Sequence, residues 1–470
     1  MIQFILNNKD IVTDLQPGIT LLDFIRYNQH LFGTKIGCRE GDCGACTILT
    51  GEIKDGKLVY NSATSCLMPL ANAHGKHIVT IEGINLDGLN AVQQAFADEG
   101  ATQCGFCTPG FIVSLAGFCL GEQEPVHANA INSMNGNICR CTGYKSIERA
   151  AAVISNMMQE REGQDTIPFA IEHKIIPAYF LGIKERLGTL IDTRKGIPAA
   201  GKQERFLSGG TDLYVQLHDS IAQERLEFMF DNPSLKGIAK EGNTCILGAS
   251  VTVSDIAGSG IFKKHFPGLD NYIKLVSSTQ IRNMATIAGN FANASPIGDM
   301  TIFFLALDAS IQLNNGNTDR TIKLCNFYKG YKQLDKAPGE FIEKILFDLP
   351  GPDDRFSFEK VCKRTHLDIA SVNTAIYLRM HGDIIASAGL SAGGVGPIPL
   401  LLSGCSKFLA GKKVSWELVV QLSELAQDEI SPIGDTRGSE AYKRLLLSQL
   451  IKAHFIKLFP ALQLNGLVSG

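Results

Sequence analysis

Residues 33–47 read GTKIGCREGDCGACT, and the rest of the chain is best read outward from them. Cys38, Cys43 and Cys46 form a C-x4-C-x2-C run, and Cys66 follows after nineteen more residues. This 3+1 spacing suits four thiolates converging on a pair of irons, three from one tight loop and the fourth from a strand end. Glycines at 37, 41 and 44 let backbone N–H groups curl toward the inorganic sulfides and donate to them, which favours the reduced, more negative state. The competing readings are a zinc site and a buried loop of inert thiols. Zinc sites usually pair their ligands as two short C-x2-C hooks, a pattern this run does not follow.

A second constellation lies further on. Cys104-x2-Cys107 and Cys139-x-Cys141 are separated by thirty-one residues, in QCGFCTPGF and NGNICRCTGY. Two helix ends presenting two thiols each would make a four-thiolate site, for a cluster or, on spacing alone, for zinc. Nine of the thirteen cysteines precede residue 142, and clustered cysteines in a cytosolic chain point to ligation rather than disulfides. Cys119 reads as core, and the scattered Cys245, Cys325, Cys362 and Cys405 as small buried hydrophobes.

The 470 residues correspond to about three domains at roughly 150 residues each. Net charge is -3, with 44 Lys+Arg against 47 Asp+Glu, so no large basic surface is available and nucleic acid is not expected as a partner. MIQFILNNKD has no signal-peptide pattern. Two long uncharged stretches, Ala101–Gly121 and Ile384–Ser406, are broken by glycine and proline and read as protein interior rather than membrane spans.

Residues 2–6 and 10–14 read as paired strands, Thr20–Asn28 as a helix with a Thr cap, and TILTG and KLVYNSA as further strands. Helices are expected over 91–99, 109–120, 128–134 and 146–161, the second started by Thr108-Pro109. The polar NMMQEREGQDTIP at 156–168 reads as a linker. PGPDD at 350–354 marks another break. Beyond it come strands RFSFEKV, TAIYLRM and DIIASAGL, then helices over 415–426 and 438–457.

Two Gly-rich segments follow the linker. RFLSGGTDL (205–213) reads as strand, Gly-Gly turn and helix, whose N–H groups could hold a pyrophosphate; it is also an ordinary strand–turn–helix sequence. It is not G-x-G-x-x-G, so a Rossmann site is not indicated. IRNMATIAGNFANASPIGDM (281–300) offers small side chains against which a flat cofactor could lie, with Asn and Ser for its polar edges; equally, it could be a close-packed turn without a ligand.

The cysteine motifs together resemble the two iron–sulfur motifs of the molybdenum hydroxylase (xanthine dehydrogenase) family, over residues 2 to about 160. Ferredoxins share only the first. The 205–300 segments resemble the same family's FAD-binding domain, with FYKGY (327–331), PGE (338–340), RTHLDIASVN (364–373), AGGVGPIP (392–399) and DTRGS (435–439) in support. The resemblance implies an α+β multidomain chain. It comprises a β-grasp ferredoxin domain (1–84), a helical-bundle [2Fe–2S] domain (85–160), a linker (161–175), an α+β FAD-binding domain (176–349) and a C-terminal flavoprotein subdomain (350–465). It assigns Cys38, Cys43, Cys46 and Cys66 to one cluster and Cys104, Cys107, Cys139 and Cys141 to the other. Leu207, Ser208, Gly209, Gly210, Thr211, Asp212 and Leu213 would surround the FAD diphosphate. Gly289, Asn290, Asn293, Ser295 and Asp299 would line the rest of the flavin site, and Gln103 would face a molybdopterin.

By the same resemblance, the chain is expected to be a cytoplasmic electron-transfer small subunit without a catalytic acid or base of its own. A separate large subunit would carry the molybdopterin and oxidise the substrate, in a heterotetramer of two small and two large chains. Electrons would pass through two [2Fe–2S] clusters to FAD and on to NAD+, with oxygen or another carrier as the alternative acceptor. Tyr331 would lie near the flavin, whereas His366 reads as structural. The alternatives are the equivalent subunit of a hydroxylase acting on aldehydes, N-heterocycles or CO, and a non-enzymatic zinc-binding interaction module.

Overall fold

The computed structural model describes residues 1–191, 205–364 and 366–462. Residues 192–204 and 463–465, which the expected flavin domains include, and Thr365 of RTHLDIASVN lie outside them. Backbone contacts divide the chain into two units, Met1–Phe230 with Ser277–Ala285, and Asp231–Val276 with Thr286–Gly470.

The first unit begins with a five-stranded sheet, ordered Lys9–Thr13, Ile2–Leu6, His77–Val79, Thr47–Lys54, Lys57–Thr64. Ile2–Leu6 pairs antiparallel with Lys9–Thr13 and parallel with His77–Val79, which gives the expected β-grasp core its mixed sheet. Phe4, Leu6, Leu22, Phe24, Ile48 and Leu70 are buried together with Cys46 and Cys66, so the first cysteine loop is anchored in this core. Thr20 caps the following turn by accepting from Asp23 N, as its sequence suggests. The helix is α only over Leu21–Asp23 and widens to a π-turn over Phe24–Asn28.

Four helices follow: Ala91–Asp98, Thr108–Cys119, His127–Ser133 and Lys145–Gln159. A capping box between Asn90 and Gln93 starts the first. Pro109 occupies the first turn of the second, but its N-cap is Cys107; the Thr108 hydroxyl, expected to cap, pairs with Thr102 instead. Cys119 is fully buried among Phe96, Leu115 and Ile154, the core role its apolar surroundings suggest. The stretch expected as a linker, 161–175, contains a helix over Thr166–Glu172. Phe169 and Ala170 are buried in the same core, and that burial outweighs the polar composition that suggested an open segment. The unit also holds Arg205–Leu207, paired parallel with Leu226–Phe228.

In the second unit a five-stranded sheet runs Asp319–Lys323, Ser310–Asn314, Phe341–Asp348, Thr244–Gly248, Ile238–Glu241. A four-stranded antiparallel sheet of Arg355–Val361, Val372–His381, Ile384–Gly393 and Leu400–Leu401 follows. The helices Ser403–Leu409, Trp416–Leu425 and Glu440–Leu458 share a core with it. Phe266, Phe303 and Phe356 pack ring against ring, at centroid separations of 4.5 to 5.3 Å. Among the described residues, no helix is long and apolar enough to cross a membrane.

Candidate iron–sulfur and flavin sites

The first cysteine loop brings its sulfurs together as two interacting pairs, Cys38 with Cys43 and Cys46 with Cys66. Glu40 N and Asp42 N both donate to Cys38 Sγ at 3.3 Å. The Cys38 thiol is brought down to about 5 by the Cys43 thiol beside it, with those two N–H groups assisting against the opposing effect of burial. The Cys66 thiol moves up, through its contact with Cys46 and through burial. This donor chemistry fits an iron–sulfur cluster: soft sulfurs in pairs, each pair suited to one iron, with backbone N–H groups aimed at sulfur.

The second set also forms two pairs. Cys104 and Cys141 sulfurs stand 3.7 Å apart, and Cys107 meets Cys139. The Thr142 N–H and hydroxyl donate to Cys139 Sγ at 3.4 and 3.1 Å. Burial would raise that thiol, but the Thr142 bonds outweigh it and hold the thiol below its ordinary value. Burial pushes Cys107 up to about 12, with Cys139 adding to the effect. Cys104 and Cys141 are exposed. So are Gln103, Phe106, Ile138 and Tyr144, the last three at 47%, 36% and 40%. Gln103 lies in the loop before the Thr108–Cys119 helix. Among the described residues, no group of three or more His, Cys, Asp or Glu surrounds a single metal-ion position.

The two cysteine sets are in direct backbone contact. Ile138 N–H donates to Cys43 C=O at 3.0 Å, joining the residue before Cys139 to a cysteine of the first loop. On its other side the first loop is clamped by residues that spacing does not single out. Arg39 donates to both Asp23 oxygens, at 2.7 and 3.2 Å, and its Nη1 lies 2.9 Å from His218 Nε2. A guanidinium only donates, so His218 accepts at Nε2 and carries its proton on Nδ1, which is buried without a partner. Burial opposes ionisation of Asp23, but the Arg39 and Thr20 bonds hold its carboxyl below the usual range.

The Leu207–Leu213 segment falls in the first unit, and Gly289, Asn290, Asn293, Ser295 and Asp299 fall in the second. In the first unit, Gly210 has φ +83, and a Cβ there would lie 2.4 Å from Leu67 O, next to Cys66. A Cβ on Gly209 would lie 1.8 Å from Met284 O. Close packing within the unit therefore demands both glycines, whatever ligand they serve. Asn72 Nδ2 donates to Ser208 O at 3.0 Å. The Ser208 hydroxyl is buried without a protein partner, which fits an anionic group completing the turn.

In the second unit the TIAGN segment is helical over Ile287–Asn293, capped by Thr286, and Ala294 turns the chain at φ 51. Asn290 Oδ1 accepts from Thr301 N and Oγ1, both at 3.0 Å. Lys332 Nζ donates to Asn293 O and Oδ1, at 2.5 and 2.9 Å. Asp299 is committed internally: Lys360 Nζ lies 2.7 Å from Oδ2 and Asn373 Nδ2 2.6 Å from Oδ1. The Lys360 side chain is 1% exposed. Both Asp299 oxygens thus accept from side chains of the same unit. Tyr331 is exposed, and His366 is half-buried in the bend before Val372–His381.

Comparison with known families agrees with this layout. The profile "2Fe-2S iron-sulfur cluster binding domain" matches residues 4–71, and "[2Fe-2S] binding domain" matches 80–152. "FAD binding domain in molybdopterin dehydrogenase" matches 190–350, and "CO dehydrogenase flavoprotein C-terminal domain" matches 357–458. The chain therefore carries two [2Fe–2S]-binding domains and a FAD-binding domain. It is 28% identical to a xanthine dehydrogenase from Emericella nidulans over 520 residues, which covers 95% of this chain and 38% of that protein. Its identity to a xanthine dehydrogenase/oxidase from Rattus norvegicus is 27%, covering 79% of this chain and 32% of that one. The chain thus spans about two fifths or less of the length of these relatives. Among solved structures, carbon monoxide dehydrogenase from Hydrogenophaga pseudoflava matches with a TM-score of 0.52 and 25% identity, over 56% of this chain and 91% of that one. Reconstituted CO dehydrogenase from Oligotropha carboxidovorans gives 0.51 and 26%, over 54% and 89%.

Proposed function

The chain belongs to the molybdenum hydroxylase family, and on that premise we propose that it is the electron-transfer small subunit of a xanthine dehydrogenase-like oxidoreductase. The observation that carries this reading is the grouping of eight cysteines into two sets of paired thiols, in backbone contact with each other at Cys43 and Ile138. Cys38, Cys43, Cys46 and Cys66 would hold one cluster and Cys104, Cys107, Cys139 and Cys141 the other; Ser208 in the first unit, and Gly289, Asn290 and Asn293 in the second, are each proposed as flavin-binding residues within their own unit. Bound there, the clusters supply one-electron storage and FAD supplies two-electron storage that leaves as a hydride equivalent.

The residues of the chain orient these groups. The Glu40 and Asp42 donors favour the anionic form of Cys38 sulfur, and the Thr142 donors that of Cys139. Arg39 ties the loop to Asp23, and the Leu67 carbonyl packs against Gly210 of the turn next to Cys66. The exposed patch of Gln103, Cys104, Phe106, Ile138, Cys141 and Tyr144 would dock the molybdopterin-bearing large chain, covering both the apolar rings and the second cluster. A purine is the favoured substrate class for that partner: xanthine dehydrogenase relatives match almost the whole chain, whereas the CO dehydrogenase structures cover little over half of it. NAD+ is the proposed acceptor and Tyr331 its proposed neighbour. Two small and two large chains form the proposed assembly. A cytoplasmic location is proposed, because eight ligating thiolates need a reducing setting.

The test is a visible spectrum with metal analysis on the purified chain. Iron and acid-labile sulfide in equal amounts, together with flavin bands, are expected. A colourless chain holding zinc would overturn the reading. Adding the large chain with hypoxanthine should then bleach the flavin, and light scattering should give the mass of the assembly.

A further inference from the structure

Asn137, two residues before Cys139, is 5% exposed and uses both ends of its amide. Its Nδ2 donates to Gly44 O at 3.0 Å and to Thr47 Oγ1 at 3.2 Å, both in or beside the first cysteine loop. Its Oδ1 accepts from Ser114 Oγ at 2.7 Å and Gln280 Nε2 at 3.0 Å. Gln280 is fully buried, donates also to Ser114 Oγ at 3.0 Å, and lies six residues before Thr286, which caps the TIAGN helix. The backbones close in around this amide. A Cβ on Gly44 would lie 2.3 Å from Gly136 O, one on Gly110 2.4 Å from Gly44 O, and one on Gly136 2.0 Å from Gln280 Oε1. Cys43 C=O and Ile138 N–H meet inside that clamp.

We propose that Asn137 is a positioning residue for electron exchange between the two cluster sites, holding the Gly44 carbonyl so that the Cys43–Ile138 hydrogen bond stays closed. The proposal rests on the reading of the eight cysteines as two [2Fe–2S] sites. An exchange removes one electron from one site and adds one to the other, with no proton moved and no bond made or broken, so its rate depends on contact and distance. The backbone of Cys43, Ile138 and Cys139 with one hydrogen bond is a continuous route between the two sets. Burying a four-bonded amide fixes register as an apolar contact would not, because a shifted loop leaves donors and acceptors unmade.

The experiment uses the full chain loaded with iron and sulfide, comparing the parent with Asn137→Ser, a neutral and smaller side chain. Iron content and the reduction potential of each cluster should match the parent. Electron exchange after flash photoreduction should slow by roughly tenfold to a hundredfold, the range a small misplacement costs, and the magnetic interaction between the two reduced clusters should weaken. Unchanged exchange and unchanged interaction in a fully loaded variant would overturn the proposal. If Asn137→Ser does not load, hydrogen exchange on the parent decides. The Ile138 amide should be among the slowest in residues 135–144, and rapid exchange there would show that the clamp does not hold. A parent chain without iron would instead sink the cluster reading itself, before the variant is made.

Discussion

Lys360 shows how much a single side chain can carry. That side chain is 1% exposed and ends on Asp299 Oδ2, while Asn373 serves the other oxygen. Burying two charges is offset only while both are present; removing one partner leaves a desolvated charge, at a cost of about 3–5 kcal/mol. Lys360→Met is therefore expected to lower the thermal midpoint of the chain sharply. In an Asp299→Asn background the same change should cost much less, since the orphaned group is then neutral. Equal losses in both backgrounds would mean that the pair does not interact. Nothing in the local spacing of RFSFEKV marks Lys360, because its partner lies sixty-one residues away.

At the scale of elements, the cysteine loop depends on backbone shape as much as on thiols. Gly44 has φ +67 and no room for a methyl group, whereas Gly56, in the hairpin between Thr47–Lys54 and Lys57–Thr64, has φ +75 and open space around it. Gly44→Ala should cost roughly 2–5 kcal/mol, from backbone strain plus overpacking. Gly56→Ala should cost only about 1–2 kcal/mol, from conformation alone. Denaturant titration of the two variants separates space from conformation, and equal costs would show that the close approach at Gly44 relaxes freely. The same contrast explains what could be read from sequence. The β-hairpin of Ile2–Thr13, the helices from Ala91 to Gln159 and both cysteine sets declare themselves through apolar period, capping and spacing. The Thr166–Glu172 helix does not, because a polar run surrounds its buried Phe169. The Asn137–Gln280 and Arg39–His218 contacts do not either, since they join residues 143 and 179 positions apart.

At the scale of the whole molecule, each unit contains, among the described residues, one fully buried histidine, and the two share a response to acid. In the first unit His77 accepts from Tyr60 OH at 2.7 Å and donates to Asn7 O at 2.8 Å, a neutral tautomer enclosed by Tyr179 and Phe180. In the second, His454 is fully buried against Thr374 Oγ1, at 2.7 Å. Burial pushes both down to about 3, from an ordinary value of 6.5. A depressed histidine binds its proton more readily in the unfolded chain. Its neutral burial therefore carries no penalty above pH 6.5, and stability is lost as pH falls from 6.5 toward 3. Each should contribute a slope approaching about 1.4 kcal/mol per pH unit in that window. Carboxylates with lowered values, such as Asp23, weaken the fold only below their ordinary range near 4, and with Cys38 held as a cluster ligand its thiol does not titrate, so in the iron-loaded chain the histidines dominate between pH 6.5 and 5. The unfolding free energy of the chain should fall over that interval. His77→Gln and His454→Gln, compared with the parent at each pH, should each remove one proton's share of the slope, whatever their cost at pH 7. A variant that keeps the parent's full pH dependence would mean that the histidine it replaces is protonated in the folded chain, and that its enclosure is looser than these contacts imply.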